Sequence, residues 1–281
     1  MDVGAVRAAF DAQVRRRADD QEAGGVVEHD GDVLRWVASG TQVSCIVWSQ
    51  LTADTADAAI AAQRAYFTAR GTPAEWKYYD YDSPANLRQR LLAAGFEAGA
   101  KELMLVAETA SISNEVVLPD GVRLEPVTDE AGVDALLAVR ALAFDDPSPD
   151  LGPRLAEQLR AAPESLQIVV AMAGDEPISA ARIEFVSGTE FAGLWGGGTI
   201  PAWRRKGIFR ALVAYRAGLA AARGYRYLQV DALPTSQPIL ERLGFHPVAT
   251  TIPYTFTPRP ATLGTASAWP TVGPADTMGT W

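Results

Sequence analysis

From Gly121 onward the apolar positions switch repeatedly between a two-residue alternation and a spacing of three and four. Val122 to Pro126 reads as a strand. Asp129 to Phe144 reads as a helix, with Val133, Leu136, Leu137 and Arg140 at helical spacing, and Asp145-Asp-Pro-Ser-Pro149 breaks it. A second helix is expected over Leu151 to Ala161. Leu166–Met172, Ile178–Phe185 and Phe191–Thr199 then form a meander of strands, joined by hairpin-like turns at Gly174-Asp-Glu-Pro177 and Ser187-Gly-Thr-Glu190. Farther along, Ile208, Leu212, Tyr215 and Leu219 mark one helical face directed at a sheet, and Gly224 closes that helix. Tyr225 to Asp231 is a buried strand, Ser236 or Thr235 caps a short helix through Leu243, Gly244 ends it, and Val248 to Phe256 is the final strand. A strand-helix-strand unit needs a right-handed crossover and a parallel pair, so the fold class is α/β with a mixed sheet.

Residues 1–110 carry an echo of this order. Glu75-Trp-Lys-Tyr-Tyr-Asp80, Ser83-Pro-Ala-Asn-Leu and Leu91-Leu-Ala-Ala-Gly-Phe96 match Arg226-Tyr-Leu-Gln-Val-Asp231, Ser236-Gln-Pro-Ile-Leu and Leu243-Gly-Phe245. Upstream, Val43–Trp48 corresponds to the strand ending at Trp195, and Asp54–Arg70 to the helix that follows it. Trp48 and Trp76 are 28 positions apart, whereas Trp195 and Tyr227 are 32 apart, and the missing length falls where the second half has a basic turn. The expected organisation is a degenerate half-domain at 1–110, a linker at 111–120, an intact domain at 121–257 and a flexible tail at 258–281, rich in Pro, Gly, Thr and Ala.

Composition narrows the function classes. The 281 residues are 48% hydrophobic with a formal net charge of −9, which disfavours general nucleic-acid binding. No apolar run approaches the ~20 residues that cross a bilayer. Cys45 is the only cysteine and His29 and His246 the only histidines, so neither a disulfide nor a structural metal cluster is expected. Arginines and acids interleave through Met1–Asp20, unlike a signal peptide, and a cytoplasmic location is the expectation.

Against this acidic background the run Trp195-Gly-Gly-Gly-Thr-Ile-Pro-Ala-Trp-Arg-Arg-Lys-Gly-Ile-Phe-Arg stands out. Gly197 and Gly198 permit close backbone approach, and Arg204, Arg205, Lys206 and Arg210 gather positive charge where a helix begins. Helix-terminal amides together with such cations hold phosphates. A nucleotide kinase loop is disfavoured because no Gly-Lys-Ser/Thr is present.

Arg204-Arg-Lys-Gly207-Ile-Phe209, after a strand and before an apolar helix, resembles the turn of the GNAT superfamily of acyl-CoA-dependent N-acyltransferases, with Phe209 replacing the family's last small residue. Asp231 through Leu240-Glu-Arg-Leu-Gly-Phe245 resembles that family's strand and helix beside the pantetheine arm. The resemblance covers roughly Val122 to Phe256, and the tandem layout is similar to that of mycothiol synthases. It implies a GNAT-like mixed sheet flanked by helices and transfer of an acetyl group from acetyl-CoA, without a metal, to an amine of a small molecule or peptide. It further implies backbone pairing of Gly198, Thr199 and Ile200 with pantetheine. Arg204, Arg205, Lys206, Gly207, Ile208, Phe209 and Arg210 would lie around the pyrophosphate, with Ser236 beside the cofactor. The family's usual glutamate falls on Gly193 and its usual tyrosine on Leu240, so Glu190, Glu184 and Asp231 become the candidates for catalysis. The alternative is a CoA-binding or structural module without catalysis.

Overall fold

The computed structural model describes residues 1–16, 25–38, 43–144 and 151–258. In chain order the elements are α1 (Val3–Phe10), β1 (Gly25–Asp30), β2 (Val33–Ala38), β3 (Ser44–Ser49), α2 (Ala56–Arg70), β4 (Ala74–Tyr79), α3 (Leu87–Ala93), β5 (Glu97–Ala98) and β6 (Glu102–Glu108). They continue with β7 (Val122–Val127), α4 (Glu130–Phe144), α5 (Leu151–Ala161), β8 (Leu166–Ala173), β9 (Glu176–Phe185), β10 (Phe191–Thr199), α6 (Ile208–Ala222), β11 (Tyr227–Ala232), α7 (Gln237–Arg242) and β12 (His246–Phe256). The predicted strands and helices of residues 122–256 are all present. The breaker at 145–149 and the tail from 259 lie outside the described residues. No helix among those described is long and apolar enough to cross a membrane.

The chain divides into two compact units that do not follow chain order. Among the described residues, one takes Met1–Val14 and Met104–Val248; the other takes Arg15–Leu103 and residues 249–258. In the first, the strand order is β6-β11-β10-β9-β8-β7, antiparallel from β7 to β10 and parallel between β10 and β11. Its core joins Val133, Leu136 and Val139 of α4 and Leu155 of α5 to Ile168, Val170, Ile178 and Ala180 of the sheet and to Ile208 and Leu212 of α6. The predicted face of α6 holds only in part. Ile208 and Leu212 are buried, Tyr215 and Leu219 only half so, while Arg216, Ala217 and Ala220 are buried, because the helix is covered on more than one side.

In the other unit β1, β2 and β3 are antiparallel, β3 and β4 parallel, and β12 antiparallel to β4. Its core is Ile46, Ile60, Phe67, Trp76, Leu87, Leu91, Phe96, Tyr254 and their neighbours. Each unit therefore contains a parallel strand-helix-strand crossover, and in each the parallel pairing is three residues long. The connection into α2 is short, Gln50 to Thr55, and carries no cation, where the connection into α6 runs from Ile200 to Gly207. Cys45 is buried here, and burial together with Glu75 pushes its thiol well above its ordinary value, which suits an inert core residue.

Candidate functional site

The site is framed by β9, β10 and β11. Strand β10 pairs with β9 from Ala192↔Phe185 to Thr199↔Ser179, with a register shift between Trp195 and Gly198. It pairs with β11 only at Phe191↔Tyr227, Ala192↔Leu228 and Gly193↔Gln229. Past Gly193 both strands run on, to Thr199 and Ala232, without pairing to each other. The side of β10 from Leu194 to Thr199 that would face β11 is thus an open backbone edge, the kind of surface that accepts a strand-like group.

Packing explains the glycines along this edge. Gly196 takes φ +57 at the register shift, a conformation that glycine adopts without strain. A β-carbon on Gly197 would stand 3.0 Å from the Phe209 ring, and one on Gly198 2.7 Å from the Phe144 ring. Ser179 Oγ donates to the Gly198 carbonyl at 2.6 Å and lies 2.8 Å from Thr199 Oγ1, which fixes the strand end. Ile200 N–H donates to Ile178 O at 3.0 Å, so this amide is committed to β9 and not open to a ligand. Alternation along an antiparallel ladder turns the Thr199 backbone the other way.

The basic turn follows directly. Arg204 does not project freely, as a phosphate-binding side chain would: its Nε donates to Thr199 O and its Nη2 to Ala143 O, both at 3.0 Å, tying the strand end to α4. Arg205 is the one non-glycine residue with positive φ (+63) among those described, which costs about 1 kcal/mol or more of backbone strain. Arg205, Lys206 and Arg210 are exposed, and Lys206 Nζ sits 4.2 Å from the centre of the Trp203 ring. Gly207 caps α6 at φ +84, and the first intrahelical bond runs from Ala211 N–H to Gly207 O. The amides of Ile208, Phe209 and Arg210 are left without intrahelical acceptors. The Ile208 side chain is buried in the core and Phe209 packs back on Gly197, so a bulky residue at 209 leaves the helix entrance clear. Because the strain at Arg205 is borne by the free protein, Arg205→Gly is expected to raise stability by about 1 kcal/mol in a chemical denaturation series, while weakening anion binding at the turn.

The candidate acids separate clearly. Glu184 is directly opposite Gly193 in the register, and cross-strand partners project on the same face. Its carboxyl therefore lies on the face where a residue-193 side chain would stand, a position that the Trp195 indole covers: a β-carbon there would be 2.4 Å from Trp195 Nε1. Glu184 is buried. Its Oε1 accepts from Arg182 Nε at 2.9 Å, and its Oε2 accepts no hydrogen bond from the described residues. Burial pushes its carboxyl above the ordinary value, opposed in part by Arg182 and Arg154. Glu190 behaves oppositely. Gln13 donates to its Oε2 at 2.8 Å and Arg226 Nη1 to its Oε1 at 3.2 Å, and these bonds lower its pKa, so Glu190 serves as a structural anchor and a poor proton acceptor. Asp231, half-buried on β11, accepts from Gln229 Nε2 at 3.0 Å. Ser236 precedes α7 but does not cap it with its side chain; its Oγ donates to Leu233 O at 3.2 Å. Leu240 is buried core. Sequence reasoning missed Arg182, whose side chain is fully buried beside Glu184, and Arg216, buried on α6 and donating to the carbonyls of Leu212 and Arg182. Among the described residues no cluster of three or more His, Cys, Asp or Glu suited to a metal occurs.

Residues 134–245 match the model of the acetyltransferase (GNAT) family. No curated protein matches the chain. Among solved structures, a GCN5-related N-acetyltransferase from Kribbella flavida is similar at 17% identity and TM-score 0.66, over 90% of this chain and 95% of that one. One from Sphaerobacter thermophilus gives 14% identity and TM-score 0.61, over 82% and 78%. A tandem GNAT protein from the clavulanic acid biosynthesis pathway gives 11% and 0.62, over 92% and 96%. At these identities the similarity speaks for the fold, a mixed sheet flanked by helices.

Proposed function

From the premise that the chain carries a GNAT-family acetyltransferase domain over residues 134–245, we propose that it is an N-acyltransferase that moves an acetyl group from acetyl-CoA to an amine. The observation that carries this reading is the open β10 edge running straight into the α6 entrance, whose three unpaired helix amides adjoin the exposed Arg205, Lys206 and Arg210 in the chain. These features fit an elongated ligand with a polar, strand-like arm and a diphosphate. The coenzyme supplies an activated acyl thioester when bound. The amides of Ile208 to Arg210, with Arg205, Lys206 and Arg210 around them, hold the diphosphate. Thr199 orients the arm through its backbone, with Gly198 beside it. Glu184 Oε2, buried and without a donor among the described residues, accepts the proton that the acceptor amine must lose.

In this reading the unit rich in residues 15–103 is a degenerate copy, since it repeats the crossover but has a short connection without cations. The partition at 1–110, 111–120 and 121–257 and a cytoplasmic location belong to the same proposal. Gly193 and Leu240, at positions where carboxylate and hydroxyl groups are implied by the resemblance, support one alternative, a CoA-binding module without catalysis. Thiol release from acetyl-CoA with a panel of primary amines decides between them. The expected result is amine-dependent release by the full chain; silence across the panel together with acetyl-CoA binding selects the module.

A further inference from the structure

The least explained group in the molecule is the Arg182 guanidinium. Its side chain is fully buried, and while Nε donates to Glu184, Nη1 and Nη2 have no hydrogen-bond partner among the described residues. A guanidinium stripped of water and left with its fork unpaired is costly, so a water or a ligand is expected to complete it. Its position points to that ligand. Arg182 is opposite Trp195 in the register, and Nη1 lies 2.9 Å from where a β-carbon on Gly196 would stand, so the fork abuts the register shift at the open β10 edge.

Further cations stand nearby. Among the described residues Arg216 is buried and donates to backbone carbonyls, and burial plus the Arg182 charge lowers it to about 9, which leaves it protonated at neutral pH. Arg182 and Arg154 both act on the Glu184 carboxylate, and Arg216 acts on Arg182. An anion with two coplanar oxygens matches the parallel Nη1 and Nη2 donors. A dianion would have to sit beside Glu184.

We propose that Arg182 binds the carboxylate of the acceptor, and that the acceptor is a short amino-carboxylic acid whose amine meets Glu184 Oε2. The short reach follows from the 2.9 Å bond that makes the two subsites adjacent. This rests on the N-acyltransferase reading, and the two fail separately.

The test uses the full chain with saturating acetyl-CoA and follows thiol release for the L-amino acids, each paired with its carboxamide. At least one acid is expected to exceed its amide in kcat/KM by about tenfold to a hundredfold, the value of a charged hydrogen-bonded pair. Arg182→Met is expected to bring that ratio close to one, and Arg182→Lys, which keeps the charge but not the fork, to an intermediate value. Both variants should retain the rise in thermal midpoint with acetyl-CoA, which also shows that they fold. Equal or absent turnover of acid and amide in every pair, or an unchanged ratio in both variants, overturns the proposal. Loss of the acetyl-CoA shift in the unaltered chain instead overturns the reading beneath it.

Discussion

Glu184→Gln is expected to lower kcat by about a hundredfold to ten-thousandfold, the usual contribution of a positioned base, with little change in the KM for acetyl-CoA. The substitution keeps the shape of the side chain and an oxygen for Arg182 Nε, so it removes proton acceptance and little else. The pH profile carries the sharper evidence. A base acts when deprotonated, and burial raises this carboxyl above its ordinary value, so activity should fall as pH drops through a point above the usual glutamate range. That acid limb should vanish in the variant. Equal rates and profiles in the two proteins would remove Glu184 from the reaction.

Gly207→Asp is expected to abolish stabilisation by acetyl-CoA. For the unaltered protein a hundredfold excess over Kd should add about 2.7 kcal/mol. Two effects act in the variant: the cap must hold φ +84 with a side chain, and a carboxylate then faces the bound diphosphate. Gly207→Ala separates them, because the nearest side-chain atom, Arg210 Nη2, is 3.7 Å from the added carbon and leaves room for it. Alanine should weaken binding through backbone strain alone. A ligand-induced midpoint shift that survives in the aspartate variant would place the diphosphate elsewhere.

The elements of residues 122–256 were legible because each is bounded by local signals, as where Gly174 and Gly188 turn the meander at positive φ. The basic turn was legible for the same reason: turn, cap and charge lie within one short run. The surroundings of the carboxylates were not. That Glu184 stands opposite Gly193 depends on the register of two strands, which periodicity does not report. Arg182 and Arg216 look like solvated positions in a linear reading and are buried by contacts distant in sequence. Likewise Arg204 reads as a phosphate ligand until the carbonyls of Thr199 and Ala143 claim it. The grouping of Met1–Val14 with Met104–Val248 is also long-range, with Arg7 Nε donating to Val248 O at 2.8 Å and Phe10 meeting Phe191 edge-on.

The open β10 edge and the α6 entrance are proposed to form one acyl-CoA site. Titration calorimetry of acetyl-CoA into the full chain tests it most directly. Saturable binding at one site per chain is expected, weakened as salt screens Arg205, Lys206 and Arg210. No saturable heat at about 1 mM ligand, the upper end of ordinary enzyme-substrate affinities, would contradict it.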